Sequence, residues 1–118
     1  MKILVVDDSK AMRMIVIRTL RQAGLGDADI HEADNGANGL AKVAEVEPEL
    51  VLSDWNMPEM NGIEFLTALR ASGNEVPFGF VTSETTTEMR ERAIAAGARF
   101  LLAKPFTADD LQQVLAGV

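Results

Sequence analysis

The stretch MKILVVDDSKAMR, residues 1–13, passes from a short apolar run directly into two adjacent carboxylates. The run Ile3–Val6 is continuous rather than alternating, which is typical of a strand buried on both faces, as in parallel sheets. Asp7 and Asp8 follow at the point where such a strand would end. The stretch therefore predicts a parallel α/β fold whose first strand brings two acids to one edge of the sheet.

Four further segments of the chain have strand-like composition, with helical patterns between them. The five predicted strands are Ile3–Val6, Ala28–Ala33, Leu50–Ser53, Val76–Thr82 and Arg99–Ala103. The second of these mixes Ile30 and Ala33 with polar residues, which is typical of an edge strand. The alternation predicts a (βα)5 doubly wound α/β fold, in which helices cover both faces of a five-stranded parallel sheet.

Capping signals and apolar stripes mark the five predicted helices. Residues at N-cap spacing are Ser9, and then the pairs Asn61 with Glu64, Thr85 with Glu88, and Thr107 with Asp110. The side chains expected to face the core are Met12, Ile15, Val16 and Leu20; Leu40, Ala41, Val43 and Ala44; Phe65, Leu66 and Leu69; Met89, Ala93 and Ala96; and Leu111, Val114 and Leu115. Gly73 is the expected end of the third helix.

The composition excludes several classes of protein. Residues 1–118 suffice for one domain and contain no run near the roughly 18 apolar residues of a membrane span. The chain has no cysteine, and its first apolar run is too short for a signal peptide. Eleven basic and 18 acidic residues give a formal net charge of −7, which disfavours nucleic-acid binding. We therefore expect a cytoplasmic protein whose partners are proteins or cations.

Three carboxylates are expected to meet at one edge of the sheet. Asp7 and Asp8 follow the first strand and Asp54 follows the third, and parallel strands of this fold share a carboxyl edge. Each close pair of like charges costs about 1 to 4 kcal/mol at effective dielectric constants of 80 to 20. A hard divalent cation offsets this repulsion, and Mg²⁺ accepts carboxylate, carbonyl, water and phosphate oxygens as ligands. The acids therefore predict a metal site, although adjacent acids alone would also suit a helix N-terminus.

Two further residues at this edge have groups that recognise phosphate. Thr82 ends the fourth predicted strand with a hydroxyl group, and Lys104 follows the fifth with an ammonium group. Aspartate can be a covalent nucleophile toward phosphorus, and charge neutralisation on the transferring oxygens is the main source of catalysis in phosphoryl transfer. The edge is therefore suited to the phosphorylation of Asp54.

Four separated motifs, VVDDS, SDWNMPEMNG, VTSE and AKPF, resemble those of the response-regulator receiver family. The likeness covers essentially the whole chain, and the last three motifs are especially similar to those of stand-alone chemotaxis-type receivers. The resemblance implies the flavodoxin-like receiver fold with strand order 2-1-3-4-5. It also implies a phosphorylation-controlled switch of a two-component system, which is not an enzyme beyond its own phosphorylation and dephosphorylation.

The resemblance also implies roles for the acids. Asp54 would take a phosphoryl group from a histidine kinase, a phosphotransfer protein or a small donor. Asp7, Asp8 and Asp54 would hold Mg²⁺ together with the backbone carbonyl of Asn56, and Mn²⁺ or another divalent cation could substitute. Asn56 and Glu84 match chemotaxis-type receivers at positions that influence access of the hydrolytic water, which predicts a short-lived phosphoryl group.

The switch residues follow the family only in part. Thr82 would bind a phosphoryl oxygen and move toward it, Lys104 would bridge phosphate and acid, and the Lys104–Pro105 peptide bond would be cis. Receivers usually have Tyr or Phe three positions before the lysine, but this position is Leu101. Phe100 should face the other side of the sheet unless the fifth strand has a one-residue bulge. Leu101 is therefore expected to fill the space that Thr82 vacates.

The expected output surface is formed by the fourth helix, fifth strand and fifth helix, from Thr86 to Val118. It would bind a downstream protein, and its basic residues Arg90, Arg92 and Arg99 would suit an acidic partner segment. The unphosphorylated protein is expected to be a monomer, with dimerisation on activation left open. Whether the chain acts alone or belongs to a longer regulator also stays open.

Two other side chains near these motifs have simpler interpretations. Trp55 follows the acceptor and is expected to be partly exposed near the pocket, where it would report metal binding. His31 lies on the predicted edge strand and is expected to be solvated rather than part of a relay.

Three alternative classes fit the residues less well. A phosphatase of the haloacid-dehalogenase type needs a second acid two positions after the acceptor, where this chain has Asn56. An FMN-binding flavodoxin needs a Ser/Thr/Gly-rich loop after the first strand, where this chain has DDSKAMR. A degenerate receiver that acts only as an interaction module is disfavoured by the intact acids and Lys104.

Overall fold

The structure of the protein, a computed structural model, describes residues 1–116. The last two residues of the expected domain and output surface, Gly117 and Val118, lie outside the described residues. The strands are β1 (Lys2–Val6), β2 (Asp29–Ala33), β3 (Leu50–Ser53), β4 (Phe78–Thr82) and β5 (Phe100–Ala103). The α-helices are α1 (Lys10–Leu20), α2 (Gly36–Val46), α3 (Gly62–Ala71), α4 (Thr87–Ala96) and α5 (Ala108–Leu115), and a short π-helical segment, Arg21–Leu25, follows α1.

The five strands form one parallel sheet in the order β2-β1-β3-β4-β5, which confirms the predicted fold and strand order. In register, Val6 at the end of β1 pairs with Ala33 of β2 and with Ser53 of β3. Thr82 at the end of β4 pairs with Ala103 of β5. The strands therefore end nearly level, and the residues that follow them lie along one edge.

The sheet separates two hydrophobic clusters, one on each face. Leu4 and Val6 contribute to the cluster covered by α2, α3 and α4, whereas Ile3 and Val5 contribute to the cluster covered by α1 and α5. All four side chains are at most 1% exposed. This two-sided burial explains why the first strand reads as a continuous apolar run. Over residues 1–116, no helix combines the length and the apolar character that crossing a bilayer requires.

Most of the predicted helix starts agree with the structure. Ser9 caps α1, and the capping boxes Asn61–Glu64 and Thr107–Asp110 are both formed. The prediction of Thr85 as the N-cap of α4 is wrong, because the cap is Thr86, whose Oγ1 accepts the N–H of Met89 at 3.1 Å.

The predicted burial of Ile15 is also wrong. The side of α1 that packs on the sheet is formed by Val16 and Leu20, with Ile17 beside them. Ile15 is 47% exposed and borders a surface cleft with Pro105 and Phe106. The apolar stripe that spacing alone predicts for α1 therefore includes one residue, Ile15, that faces solvent.

Gly79 in β4 is required by close packing against the neighbouring strand. The ring of Phe100 in β5, which pairs with Gly79 in the register, lies directly where a Cβ atom at position 79 would be. A larger residue at position 79 would therefore push against a buried aromatic ring and a sheet backbone, neither of which can move freely.

We predict that Gly79→Ala lowers the free energy of unfolding by about 1–3 kcal/mol, because the added methyl group overpacks the Phe100 ring. The measurement is urea denaturation. Gly26→Ala is the matched control, since Gly26 has an ordinary φ of −61° and no neighbour within 4 Å of an added Cβ. A second substitution, Phe100→Leu, should recover part of the loss. Equal midpoints for the two alanine variants would contradict this account of the packing.

Candidate metal and phosphoacceptor site

The residues of the candidate site lie at the carboxyl edge because each ends or follows a strand. Asp7 follows β1, Asp54 follows β3, Thr82 ends β4 and Lys104 follows β5. Backbone hydrogen bonds continue the pairing beyond the strands. The Asp54 N–H donates to the carbonyl of Val6 at 2.8 Å, and the Lys104 N–H donates to that of Thr82 at 2.7 Å. The backbone positions of Asp54 and Lys104 are thus fixed by the sheet itself.

Three carboxylates converge at this edge. Each of Asp7, Asp8 and Asp54 offers an oxygen atom, and these oxygens all lie within 4.8 Å of one another. Asp7 is buried, Asp54 is partly buried and Asp8 is exposed. The cluster therefore faces solvent on the side of Asp8 and rests on the hydrophobic core on the side of Asp7.

Lys104 is the cation that partly balances this cluster. Its Nζ lies 3.0 Å from Asp7 Oδ2 and 3.6 Å from Asp54 Oδ1. The lysine side chain is only 13% exposed, so water screens these contacts less than it screens a surface ion pair. One ammonium group among three carboxylates leaves the cluster with an excess of two negative charges.

Backbone N–H groups hold two of the carboxylates in place. The Ser9 N–H donates to Asp7 Oδ1 at 2.9 Å, and the Trp55 N–H donates to Asp54 Oδ1 at 2.8 Å. Within the described residues, no N–H or O–H group donates to Asp54 Oδ2. Asp54 Oδ2 is therefore free to contact another group.

The pKa of Asp54 is raised above its ordinary value. Burial of the carboxyl group is the main cause, the Lys104 ammonium and the Trp55 N–H oppose it, and the negative charges of Asp7 and Asp8 reinforce it. Lys104 therefore does not fully compensate the desolvation and repulsion that the ionised Asp54 carboxylate experiences.

The donor set fits a hard divalent cation. All three side chains present carboxylate oxygens, their spacing allows them to share one ion, and their excess negative charge would be neutralised by a charge of two. The exposed side at Asp8 leaves room for the water ligands that Mg²⁺ usually keeps. Asp7, Asp8 and Asp54 are thus the residues that could hold the metal, as the sequence predicts.

The loop after Asp54 is held close to the site by Gly62. The Gly62 N–H donates to the carbonyl of Trp55 at 2.8 Å, and a Cβ at position 62 would collide with the carbonyl oxygen of Asp54. Asn56, the predicted carbonyl ligand, lies in this loop and has an exposed side chain. The close approach at Gly62 therefore restricts the path of the loop that contains Asn56.

The remaining predicted residues are divided between the core and the surface. Thr82 is fully buried, and its Oγ1 accepts the N–H of Glu84 at 3.4 Å, while the Glu84 side chain is exposed. The Lys104–Pro105 peptide bond is cis, the conformation that the resemblance implies. His31 pairs with Leu4 in mid-strand and lies 3.1 Å from Asp29 Oδ2, so it is not part of the carboxyl edge.

Leu101 and Phe100 point to opposite faces of the sheet. Leu101 is 4% exposed in the cluster under α4, opposite Phe80 in the register, whereas Phe100 belongs to the cluster under α1 and α5. Pairing between β4 and β5 is continuous from Gly79 to Thr82, so there is no bulge in this segment. Leu101 therefore occupies the same face as Thr82, as alternation along the strand predicts.

The expectation that Trp55 is partly exposed is wrong. Its side chain is 6% exposed, its ring centroid lies 4.8 Å from that of Phe80, and the Arg92 guanidinium carbon lies 5.5 Å from the ring centroid. The core accommodates the indole because Phe80 and residues of α4 provide apolar neighbours. These neighbours are distant in the chain, so the sequence around Trp55 does not predict its burial.

Arg13 is a contact of the site that the sequence did not disclose. Its guanidinium donates to the carbonyl of Asp7 at 2.6 Å and to Glu32 Oε1 at 2.9 Å, joining α1 to the ends of β1 and β2. Its position one turn after the acids was the available signal, but the partner on β2 depends on tertiary structure.

The sheet and its acidic edge define a doubly wound α/β protein with oxygen ligands suited to a divalent cation. The sequence-family model for the response regulator receiver domain matches residues 3–116 of this chain. The chain is 38% identical over 118 residues to the chemotaxis protein CheY1 of Helicobacter pylori, covering 98% of this chain and 94% of that protein. It is 38% identical over 117 residues to CheY-3 of Vibrio cholerae, with coverage of 98% and 88%.

A solved structure of the Vibrio cholerae chemotaxis protein CheY4 matches with a TM-score of 0.87 at 36% identity, covering 99% of this chain and 97% of that one. The chain belongs to the response regulator receiver family, which confirms the resemblance read from its motifs. It is therefore a signalling domain of two-component phosphorylation systems rather than a classical enzyme. Receiver domains bind Mg²⁺ at an acidic pocket, and the cluster of Asp7, Asp8 and Asp54 provides one.

We predict that Asp54→Asn raises the melting temperature of the metal-free protein at pH 7. A carboxyl group with a raised folded-state pKa stabilises the fold below its unfolded pKa of about 3.9, and loses that contribution as the pH rises through the folded-state value. Removing the charge should add at least about 1 kcal/mol, or ~4 °C for a domain of this size.

The measurement is thermal unfolding in EDTA between pH 7 and pH 3, and the gain should shrink toward the acid end. Glu91→Gln, which removes a charge from the exposed face of α4, is the control and should change stability by less than about 0.5 kcal/mol. A lower melting temperature for Asp54→Asn at pH 7 would show that the acids do not repel one another as inferred.

Proposed function

We propose that residues 1–118 act as one receiver unit in which Asp54 accepts a phosphoryl group in a Mg²⁺-dependent reaction. The observation that supports this best is the placement of the Lys104 ammonium between Asp7 and Asp54, at 3.0 Å and 3.6 Å, beside an acceptor oxygen with no donor in the described residues. A structural ion pair would need one carboxylate, not three.

In the proposed reaction, Asp54 Oδ2 attacks the phosphorus atom of the donor. A new O–P bond forms, the bond from phosphorus to the donor breaks, and the leaving group takes up a proton from solvent. Lys104 is placed to contact a phosphoryl oxygen, and the Thr82 hydroxyl would donate to another after a small movement. When bound, Mg²⁺ supplies further neutralisation of the oxygens' negative charge.

We propose a histidine kinase or a phosphotransfer protein as the donor, with small phosphodonors as substitutes, acting in the cytoplasm. Chemotaxis proteins of Helicobacter pylori and Vibrio cholerae are relatives at 38% identity, which supports a similar signalling role. By analogy with chemotaxis-type receivers, Asn56 and Glu84 would shorten the life of the phosphoryl group by governing water access. Both have exposed side chains, consistent with that role.

We propose that the output surface consists of α4, β5 and α5, and that it binds a downstream protein. Thr82 and Leu101 lie on the face of the sheet that α4 covers, so a movement of Thr82 would be felt there first. Arg90 and Arg99 are exposed and would attract an acidic segment. The third basic residue, Arg92, instead contacts the Trp55 ring.

Loading of the site is predicted to occur in two steps. Mg²⁺ at a hundredfold excess over its dissociation constant should stabilise the protein by about 2.7 kcal/mol, and acetyl phosphate should then add one phosphoryl group per chain. Thermal unfolding and intact-protein mass spectrometry measure the two steps. The phosphorylated form should decay within minutes of donor removal.

Asp54→Asn should abolish the second step, and Asp34→Asn, which changes an acid after β2, should leave both steps intact. Phosphorylation of Asp54→Asn would refute the assignment of the acceptor. A phosphoryl group that persists for many hours with Mg²⁺ present would refute the proposed roles of Asn56 and Glu84.

Reversal of the charges at Arg90 and Arg99 is predicted to weaken output without affecting loading. The double variant Arg90→Glu/Arg99→Glu should be phosphorylated at the wild-type rate. In a pull-down from lysate, its phosphorylated form should bind smaller amounts of the partner proteins than the phosphorylated wild type does. Arg18→Glu, on the exposed face of α1, is the matched control. Equal capture by all three proteins would exclude an electrostatic role for this surface.

A further inference from the structure

Arg92 is a basic residue near the acceptor that the proposed chemistry does not use. It lies on α4, and its guanidinium carbon is 5.5 Å from the centroid of the Trp55 ring, within the range of a cation–π interaction. Trp55 directly follows the acceptor Asp54. A single side-chain contact therefore links the helix of the proposed output surface to the residue next to the phosphorylation site.

Trp55 is held firmly at the acceptor end of this link. Its backbone N–H donates to Asp54 Oδ1 at 2.8 Å, and its backbone carbonyl accepts the N–H of Gly62 at the start of α3. Its ring packs on Phe80 with a centroid distance of 4.8 Å. The Trp55 backbone is therefore fixed beside the Asp54 carboxylate, and its indole is held against Phe80.

The other end of α4 has its own anchor. Arg70 of α3 donates to the carbonyl of Gly97 at 2.8 Å, and Gly97 is the left-handed residue that ends α4. Arg70 also donates to the carbonyl of Asn74 at 3.0 Å, so it is itself fixed. Arg70 therefore holds the C-terminus of α4, and Arg92 contacts Trp55 from the middle of the helix. Of these two contacts, the one made by Arg92 involves the residue next to Asp54.

Phosphorylation of Asp54 would affect the contact between the Trp55 ring and Arg92. The Asp54 carboxylate accepts a charge-assisted hydrogen bond from the Trp55 N–H, and conversion to an acyl phosphate removes the carboxylate charge from the acceptor oxygens. New negative charge on the phosphoryl group would also attract the Arg92 guanidinium, whose side chain is exposed. This attraction would weaken the contact between α4 and the Trp55 ring.

We propose that Arg92 is a positioning residue that couples the state of Asp54 to α4 through the Trp55 ring, a role that rests on the proposed function. The residue that directly follows Asp54 is Trp55, and its ring lies in the same hydrophobic cluster as Leu101. The contact stabilises the unphosphorylated arrangement. Its loss favours the arrangement that follows phosphorylation.

The test is Arg92→Gln in the full chain, with Arg92→Lys as the conservative variant and Arg18→Gln as the charge-matched control. Without a phosphoryl analogue, Arg92→Gln should lower hydrogen-exchange protection in α4 by about two- to fivefold, the strength of an exposed cation–π contact. By linkage, the affinity for beryllofluoride with Mg²⁺ should increase by the same factor. Arg92→Lys should fall between Arg92→Gln and the wild type, and Arg18→Gln should match the wild type.

Trp55 fluorescence gives an independent readout, because loss of the guanidinium should shift the emission of the metal-free protein and reduce its response to beryllofluoride. If Arg92 only supported the helix, protection would fall while beryllofluoride affinity stayed at the wild-type value, and the coupling would be refuted. If the wild type itself bound no beryllofluoride, the proposed function would fail and the coupling with it. The two failures are therefore distinguishable.

Discussion

The convergence of three carboxylates at the carboxyl edge of a parallel sheet is the constraint on which the site depends. Pairing in register makes β1 and β3 end side by side, and the carboxylates of Asp7, Asp8 and Asp54 lie close together beyond these ends. Lys104 and two backbone N–H groups offset part of the repulsion. Burial, reinforced by the charges of Asp7 and Asp8, keeps the pKa of Asp54 above its ordinary value. The fold thus holds an uncompensated charge at a place where a cation and a phosphoryl group can approach.

The two faces of the sheet differ in which helices cover them. Thr82, Leu101 and Phe80 lie on the face of the sheet that α4 covers, while Phe100 and the α1 and α5 contacts form the other face. In the proposed function, a change at Asp54 would therefore be directed toward α4, where Trp55 contacts Arg92. Close packing would make such a displacement hard to absorb within the core.

The strands, the fold and the acids could be predicted from the sequence because each depends on local pattern: apolar runs, capping residues and acids at strand ends. Thr86 rather than Thr85 as the cap of α4, and the exposure of Ile15, required the packed structure, since neighbouring residues were equally suitable by type and spacing. The burial of Trp55, the contact of Arg13 with Glu32 and the contact of Arg92 with Trp55 depend on residues distant in the chain, and no local signal indicates these partners.

The most direct test of the central claim is paramagnetic broadening of backbone amide signals by Mn²⁺, used in place of Mg²⁺. One equivalent should broaden the signals of residues next to the three acids, such as Ser9, Trp55 and Lys104, and Asp54→Asn or Asp8→Asn should reduce the effect. Broadening centred on other acids, for example Glu45 and Glu47 at the end of α2, with no effect beside Asp54, would contradict the account.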